Sequence, residues 1–143
     1  MKKIFALLAF LFIQFNISAQ TSDSAIAQIT ETIMNYIDGT ANGDPEKLRK
    51  VFHPDFNLYA VTDKDSLLIR SGEKYISNIK PGEKVNRIGR IISIDVENNA
   101  AIAKAEIVIP GWRIFTDYFL LMKYEGSWKI VQKSYTWRAY PKN

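Results

Sequence analysis

The chain has no cysteine and a single histidine, His53, among its 143 residues. The first absence excludes a thiol nucleophile, a structural disulfide and a lipid-modified cysteine; with one histidine, it also leaves no donor set for a zinc site. No glycine-rich phosphate loop and no G-x-S-x-G elbow occurs, and no cofactor motif is visible. The seven glycines and five prolines are scattered, without a linker, a repeat or a low-complexity tract. Only one long apolar run is present, Ile4 to Ile13, and it is about half of the ~20 residues that a spanning helix needs.

Lys2 and Lys3 precede that run, and Asn16-Ile17-Ser18-Ala19-Gln20 follow it. These are the basic, apolar and small-residue parts of a secretory signal peptide. Cleavage is expected after Ala19, with Gln20 as the competing site. Residues 1–19 are therefore read as signal and 20–143 as one exported domain, periplasmic or secreted, with no membrane attachment after cleavage. Removal of Lys2 and Lys3 takes 19 basic residues to 17 against 15 acidic ones, a net charge of +2 over 124 residues. That balance gives no support to a nucleic-acid partner, and the length suffices for one core.

Ile26, Ile29, Ile33, Tyr36 and Ile37 recur at helical spacing, with Thr21, Ser22, Asp23 and Ser24 as cap candidates, and predict a first helix ending near Gly39 to Gly43. Asp44-Pro45-Glu46 reads as N-cap, first-turn proline and first-turn acid of a second helix carrying Leu48, Val51 and Phe52, which Pro54 stops after His53. The period then changes to two. Phe56–Val61 and Ser66–Arg70 predict a strand pair around Thr62-Asp63-Lys64-Asp65, and Ser71-Gly72-Glu73 starts a short third helix. Four long strands follow, Arg87–Val96, Ala100–Ile109, Ile114–Tyr124 and Trp128–Arg138, joined by short turns as an antiparallel meander. The fold class is α+β, with helices covering one face of a curved sheet.

Asp117 is the most informative residue, a carboxylate inside the apolar stretch Ile114 to Met122. A charge there costs several kcal/mol unless it is paired or protonated. Phe115, Asp117, Phe119 and Leu121 share one strand face, and if that face lines an interior the neutral form of Asp117 is favoured. The competing reading is a structural acceptor that only fixes the sheet. Tyr118, Leu120 and Met122 make the opposite face apolar too, which a homodimer through the sheet would cover. Lys104 and Glu106 lie on that side as a candidate cross-strand pair.

The element order and four strings resemble the nuclear transport factor 2-like superfamily, and within it the lumazine-binding branch, over essentially the whole of residues 20–143. The strings are Tyr36 ahead of Asn42-Gly43-Asp44, then Val51-Phe52-His53-Pro54-Asp55, Thr116-Asp117-Tyr118-Phe119, and Trp128-Lys129-Ile130-Val131. The resemblance implies a cone, a curved antiparallel sheet wrapped around three helices of the N-terminal half, with a pocket inside. Ketosteroid isomerases, similar in fold, place an Asp at the position matching Asp117 and a Tyr at that matching Tyr36, both donating to a developing enolate. A more distant similarity is to polyketide-cyclase-like proteins.

The proton-abstracting Asp of the isomerases falls at Ala60 by spacing from Phe52, so the pair alone completes no proton transfer. The resemblance therefore implies a domain that binds a small hydrophobic or heteroaromatic ligand. Tyr36, Asp117, Phe115, Phe119, Tyr75 and Trp112 are its expected contacts, without an organic cofactor or a metal. The alternative is an isomerase, dehydratase or cyclase in which His53 or Asp55 replaces the base. Against that stand the readings of His53 as a helix cap and of Asp55 as a turn former. Tyr135 and Trp137 add aromatic surface, and Arg113 beside Trp112 is a candidate for an anionic group of the ligand.

Overall fold

The computed structural model describes residues 23–142 of the chain. The expected signal peptide, residues 1–19, and the cap candidates Thr21 and Ser22 lie outside the described residues. Helix α1 occupies residues 23–42 and already includes Asp23 and Ser24, so neither caps it. Ile29, Ile33, Tyr36 and Ile37 form its buried stripe. Ile26, one turn earlier, is 39% exposed. The helix ends on Gly43, whose φ of 61° is the left-handed conformation of a helix C-terminus. Asp44 N then donates to Gly39 O at 2.8 Å.

Helix α2, Pro45–Val51, is capped as its sequence predicts, Asp44 Oδ1 accepting from Lys47 N at 2.9 Å. It ends two residues earlier than expected. Strand β1, Phe52–Val61, begins at once, and His53, Pro54 and Asp55 lie within it. The register of β1 shifts between Phe52 and Asn57, an irregularity in which Pro54 has no ladder hydrogen bond to donate. His53 is therefore a strand residue and not a helix cap, and Asp55 is not in a turn. Strand β2, Leu67–Ser71, pairs antiparallel with β1, and Ser71 caps helix α3, Gly72–Ser77, by accepting from Lys74 N.

Strands β3, Ile88–Glu97, β4, Ala100–Ile109, β5, Arg113–Tyr124, and β6, Ser127–Ala139, form the expected meander. The six strands make one sheet in the order β2-β1-β6-β5-β4-β3. One pairing departs from the antiparallel expectation: β6 returns beside β1 and runs parallel to it, so the last strand closes the sheet onto the first. Register shifts in β1, at Ile92 of β3 and at Val131 of β6 bend the sheet around the helices, as bulges do. The result is the α+β cone. Its core joins Ile29, Ile33 and Tyr36 of α1 to Ala103, Ala105, Phe119, Leu121 and Ile130 of the sheet. At Gly89 the backbone of β3 comes so close to α1 that an added Cβ would lie 2.6 Å from Ile37 Cγ2.

Candidate functional site

The inner face of β5 carries Phe115, Asp117, Phe119 and Leu121, as strand alternation requires. Asp117 is 2% exposed, but its partner is a residue that the sequence reading does not single out. Lys133 of β6, 4% exposed, donates from Nζ to Asp117 Oδ2 at 3.0 Å and to the Tyr36 hydroxyl at 2.7 Å. Tyr36 in turn donates to the same Oδ2 at 2.8 Å. The Lys133 ammonium also lies 5.0 to 5.4 Å from the ring centroids of Tyr36, Tyr75 and Tyr135, a cage of electron-rich faces. The apolar strand is offset by a buried countercharge, Lys133, within ion-pair distance.

The Tyr36 phenol is held well above the ordinary phenol range, first by burial and then by the nearby Asp117 carboxylate and the Tyr75 phenol. It stays protonated and keeps its hydrogen on Asp117. The Tyr75 hydroxyl lies 3.4 Å away and can donate to the Tyr36 oxygen. Phe119 packs edge-on against Tyr36, centroids 5.2 Å apart, and fixes the ring from behind.

Beside this cluster is a cavity of about 170 Å3. Asp117, Tyr36, Tyr75, Phe115 and Trp112 all line it; Phe119 supports Tyr36 instead of lining it. Trp112 is 53% exposed and stands at the rim. Lys133, Arg87, Arg70 and Tyr135 complete the polar and aromatic wall. Two buried polar atoms there have no hydrogen-bond partner among the described residues, Asp117 Oδ1 and Arg87 Nε. Leaving such an atom unpaired costs about 1–3 kcal/mol, so an acceptor and a donor beside one cavity make it the candidate site.

Arg87 is positioned through backbone contacts. The segment after α3 is tied to the end of α1 by Gly82 N to Gly43 O and Val85 N to Ala41 O, both 2.8 Å, and Arg87 N bonds Val85 O at 2.7 Å. Burial opposes the charge of its guanidinium, but the potential of Tyr36, Tyr75 and Asp117 outweighs that and raises its pKa.

His53 and Asp55 are not brought to this cavity. His53 borders a separate cleft with Arg49 and Glu73, its ring edge-on to Tyr124, and its Nδ1 accepts from Asp55 N at 3.1 Å. The Asp55 side chain is almost wholly in solvent. Ala60 and Arg113 line a neighbouring depression, where Arg113 stacks on Trp137 and Trp112 with its guanidinium 3.5 and 4.7 Å from their centroids. Glu106 pairs with Arg90 and Arg138, not with Lys104, which lies over the Tyr118 ring. A larger groove of about 320 Å3 on the outer face, along Ile102, Tyr118 and Leu120, holds no buried charged cluster.

A cone-shaped α+β fold with a polar cluster beside an interior cavity defines a small-molecule-binding domain of the nuclear transport factor 2-like superfamily. The sequence matches the family described as "putative lumazine-binding" over residues 24–136, and the chain belongs to that family. A curated relative, "Aldolase FrzH" of Cladobotryum sp, is 24% identical over 133 residues, covering 89% of this chain and 98% of the relative. Among solved structures, an NTF2-like protein from Silicibacter pomeroyi aligns with a TM-score of 0.73 at 24% identity, over 82% of this chain and 98% of its own. One from Methylobacillus flagellatus aligns with a TM-score of 0.71 at 27% identity, over 81% and 94%. Among the described residues no helix is long and apolar enough to cross a membrane.

Proposed function

We propose that the cavity beside Asp117 binds a small planar aromatic or heteroaromatic molecule, which Asp117 orients while Tyr36 holds the Asp117 carboxylate in place. The observation that carries this is Asp117 Oδ1, a buried acceptor with no partner among the described residues, belonging to a carboxylate whose other oxygen is fixed by Lys133 and Tyr36. Such a group is pre-organised to receive one donor from a ligand. Phe115, Tyr75, Tyr135 and Trp112 supply ring faces and edges. A cavity of roughly 150 Å3 holds a benzene-sized molecule, so about 170 Å3 suits one ring with a small substituent. The proposal includes export by residues 1–19 and a homodimer through the outer sheet face, where Ile102 is 56% exposed beside Tyr118 and Leu120.

Native mass spectrometry of the protein purified from its own host tests this reading. The expected result is a bound small molecule, lost or reduced in Asp117→Asn. Wild-type protein without any adduct, or retention unchanged in the variant, would overturn it.

A second reading is favoured by the same atoms. The free Oδ1 of Asp117 can take a proton from carbon next to a carbonyl, while the Lys133 ammonium holds the resulting enolate oxygen. This supplies, through Asp117 itself, the base missing at Ala60, and the resemblance to a protein named an aldolase points to carbonyl chemistry. Turnover of an enolisable ketone that survives His53→Ala and Asp55→Ala but not Asp117→Asn would support catalysis here. Turnover lost in the first two variants would move it elsewhere.

A further inference from the structure

We infer that the ligand of the Asp117 cavity is an aromatic acid, its anionic group held by Arg70 and Arg87. The inference rests on the reading of this cavity as a small-molecule site. Three cationic side chains line the cavity, Arg70, Arg87 and Lys133, against one carboxylate, Asp117. The Asp117 charge is already matched by Lys133 at 3.0 Å. Among the described residues neither Arg70 nor Arg87 forms an ion pair. Two half-buried guanidinium groups therefore face one small space with no protein anion between them. A ligand anion there would gain charge-assisted hydrogen bonds from both, in a site where the low-dielectric wall strengthens them.

The backbones of both arginines are fixed before any ligand arrives. Arg70 sits on β2 in register with Leu58 of β1, which lines the same cavity. Arg87 follows the tether to the end of α1, and its Nε is a buried donor without a partner. A planar guanidinium fork matches the two oxygens of a carboxylate, and equally those of a phosphate or sulfonate. Asp117 Oδ1 asks for the opposite, a hydrogen-bond donor on the ligand. One ring between an acid group and a donor satisfies both orphaned atoms, and Phe115 and Tyr135 provide apolar faces for it.

Isothermal titration of the purified protein with benzoate, benzamide and inorganic phosphate tests the inference. Benzoate and benzamide have the same shape; benzamide lacks the charge but carries an N–H donor for Asp117 Oδ1, so the comparison is weighted against the inference and an excess of benzoate is the stricter outcome. The expected result is that benzoate binds roughly 10- to 100-fold more tightly than benzamide, the range of one or two charge-assisted hydrogen bonds. Arg70→Gln and Arg87→Gln should each pull that ratio towards one. Arg87→Lys, which keeps the charge but not the fork, serves if Arg87→Gln fails to fold, and should lower the ratio partly. Benzamide binding as well as benzoate, or a ratio unmoved by the arginine variants, would overturn the acid while leaving a small-molecule site intact. Phosphate binding as well as benzoate would overturn the aromatic part. Loss of every small molecule, from host-purified protein and in titration alike, would remove the binding reading together with this one.

Discussion

Replacement of Lys133 by methionine separates an ion pair that organises the site from one that merely occupies it. Lys133 and Asp117 are both almost fully buried, with their charged atoms 3.0 Å apart, and Tyr36 bridges them. Lys133→Met keeps the length and apolar stem but leaves Asp117 buried without its ion-pair partner. Breaking a buried pair from one side costs about 3–5 kcal/mol, because the remaining charge stays desolvated. For a domain of this size that lowers the melting temperature by roughly 10–20 °C. Asp117→Asn is milder, since the amide still accepts from Tyr36, and the Lys133→Met, Asp117→Asn double variant removes both charges together. The two losses should then fall short of additivity by at least about 1 kcal/mol, as coupled neighbours do. Urea unfolding of the four proteins at neutral pH measures the cycle. A Lys133→Met loss below about 1 kcal/mol, or strictly additive losses, would refute the buried pair as the anchor of the site.

Gly89→Ala should destabilise by about 1–3 kcal/mol, because the new methyl group meets three Ile37 side-chain atoms within 2.9 Å and α1 must move off β3; thermal melting checks it, and an unchanged melting temperature would contradict the close packing. The carboxyl of Glu106 is held below the usual range by hydrogen bonds from Arg138 and Arg90. Its folded pKa lies below its unfolded one, so its contribution is present above about pH 4 and is lost as pH falls through the lowered value. Glu106→Gln should therefore lose less stability than wild type between neutral pH and pH 3 in thermal melts, and an identical acid loss would speak against the pairing.

Local signals placed most elements. Asp44-Pro45-Glu46 and Ser71 mark helix starts by satisfying first-turn donors, and the alternation of β5 puts Phe115, Asp117 and Phe119 on the inner face. Lys133 escapes for a physical reason. Trp128 and Ile130 are buried, so simple alternation turns Gln132 and Ser134 inward and Lys133 outward; the bulge at Val131 reverses the faces. Arg87 escapes because backbone bonds between the segment after α3 and the end of α1 bring it to Tyr36, a contact with no period in the sequence. The parallel pairing of β1 with β6 is non-local in the same way. His53 and Asp55 were drawn towards chemistry by residue type, whereas the irregular start of β1 carries them to another cleft.

The central claim is that a ligand donates to Asp117 inside the cone. A crystal structure of the protein with its co-purified ligand, or with 4-hydroxybenzoate, tests that most directly. The expected result is a ring beside Phe115 and Tyr135, with a ligand donor within hydrogen-bond distance of Asp117 Oδ1 and an acid group at Arg70 and Arg87. Ligand density in the outer groove along Ile102, Tyr118 and Leu120, or in the cleft beside His53, with none beside Asp117, would contradict it.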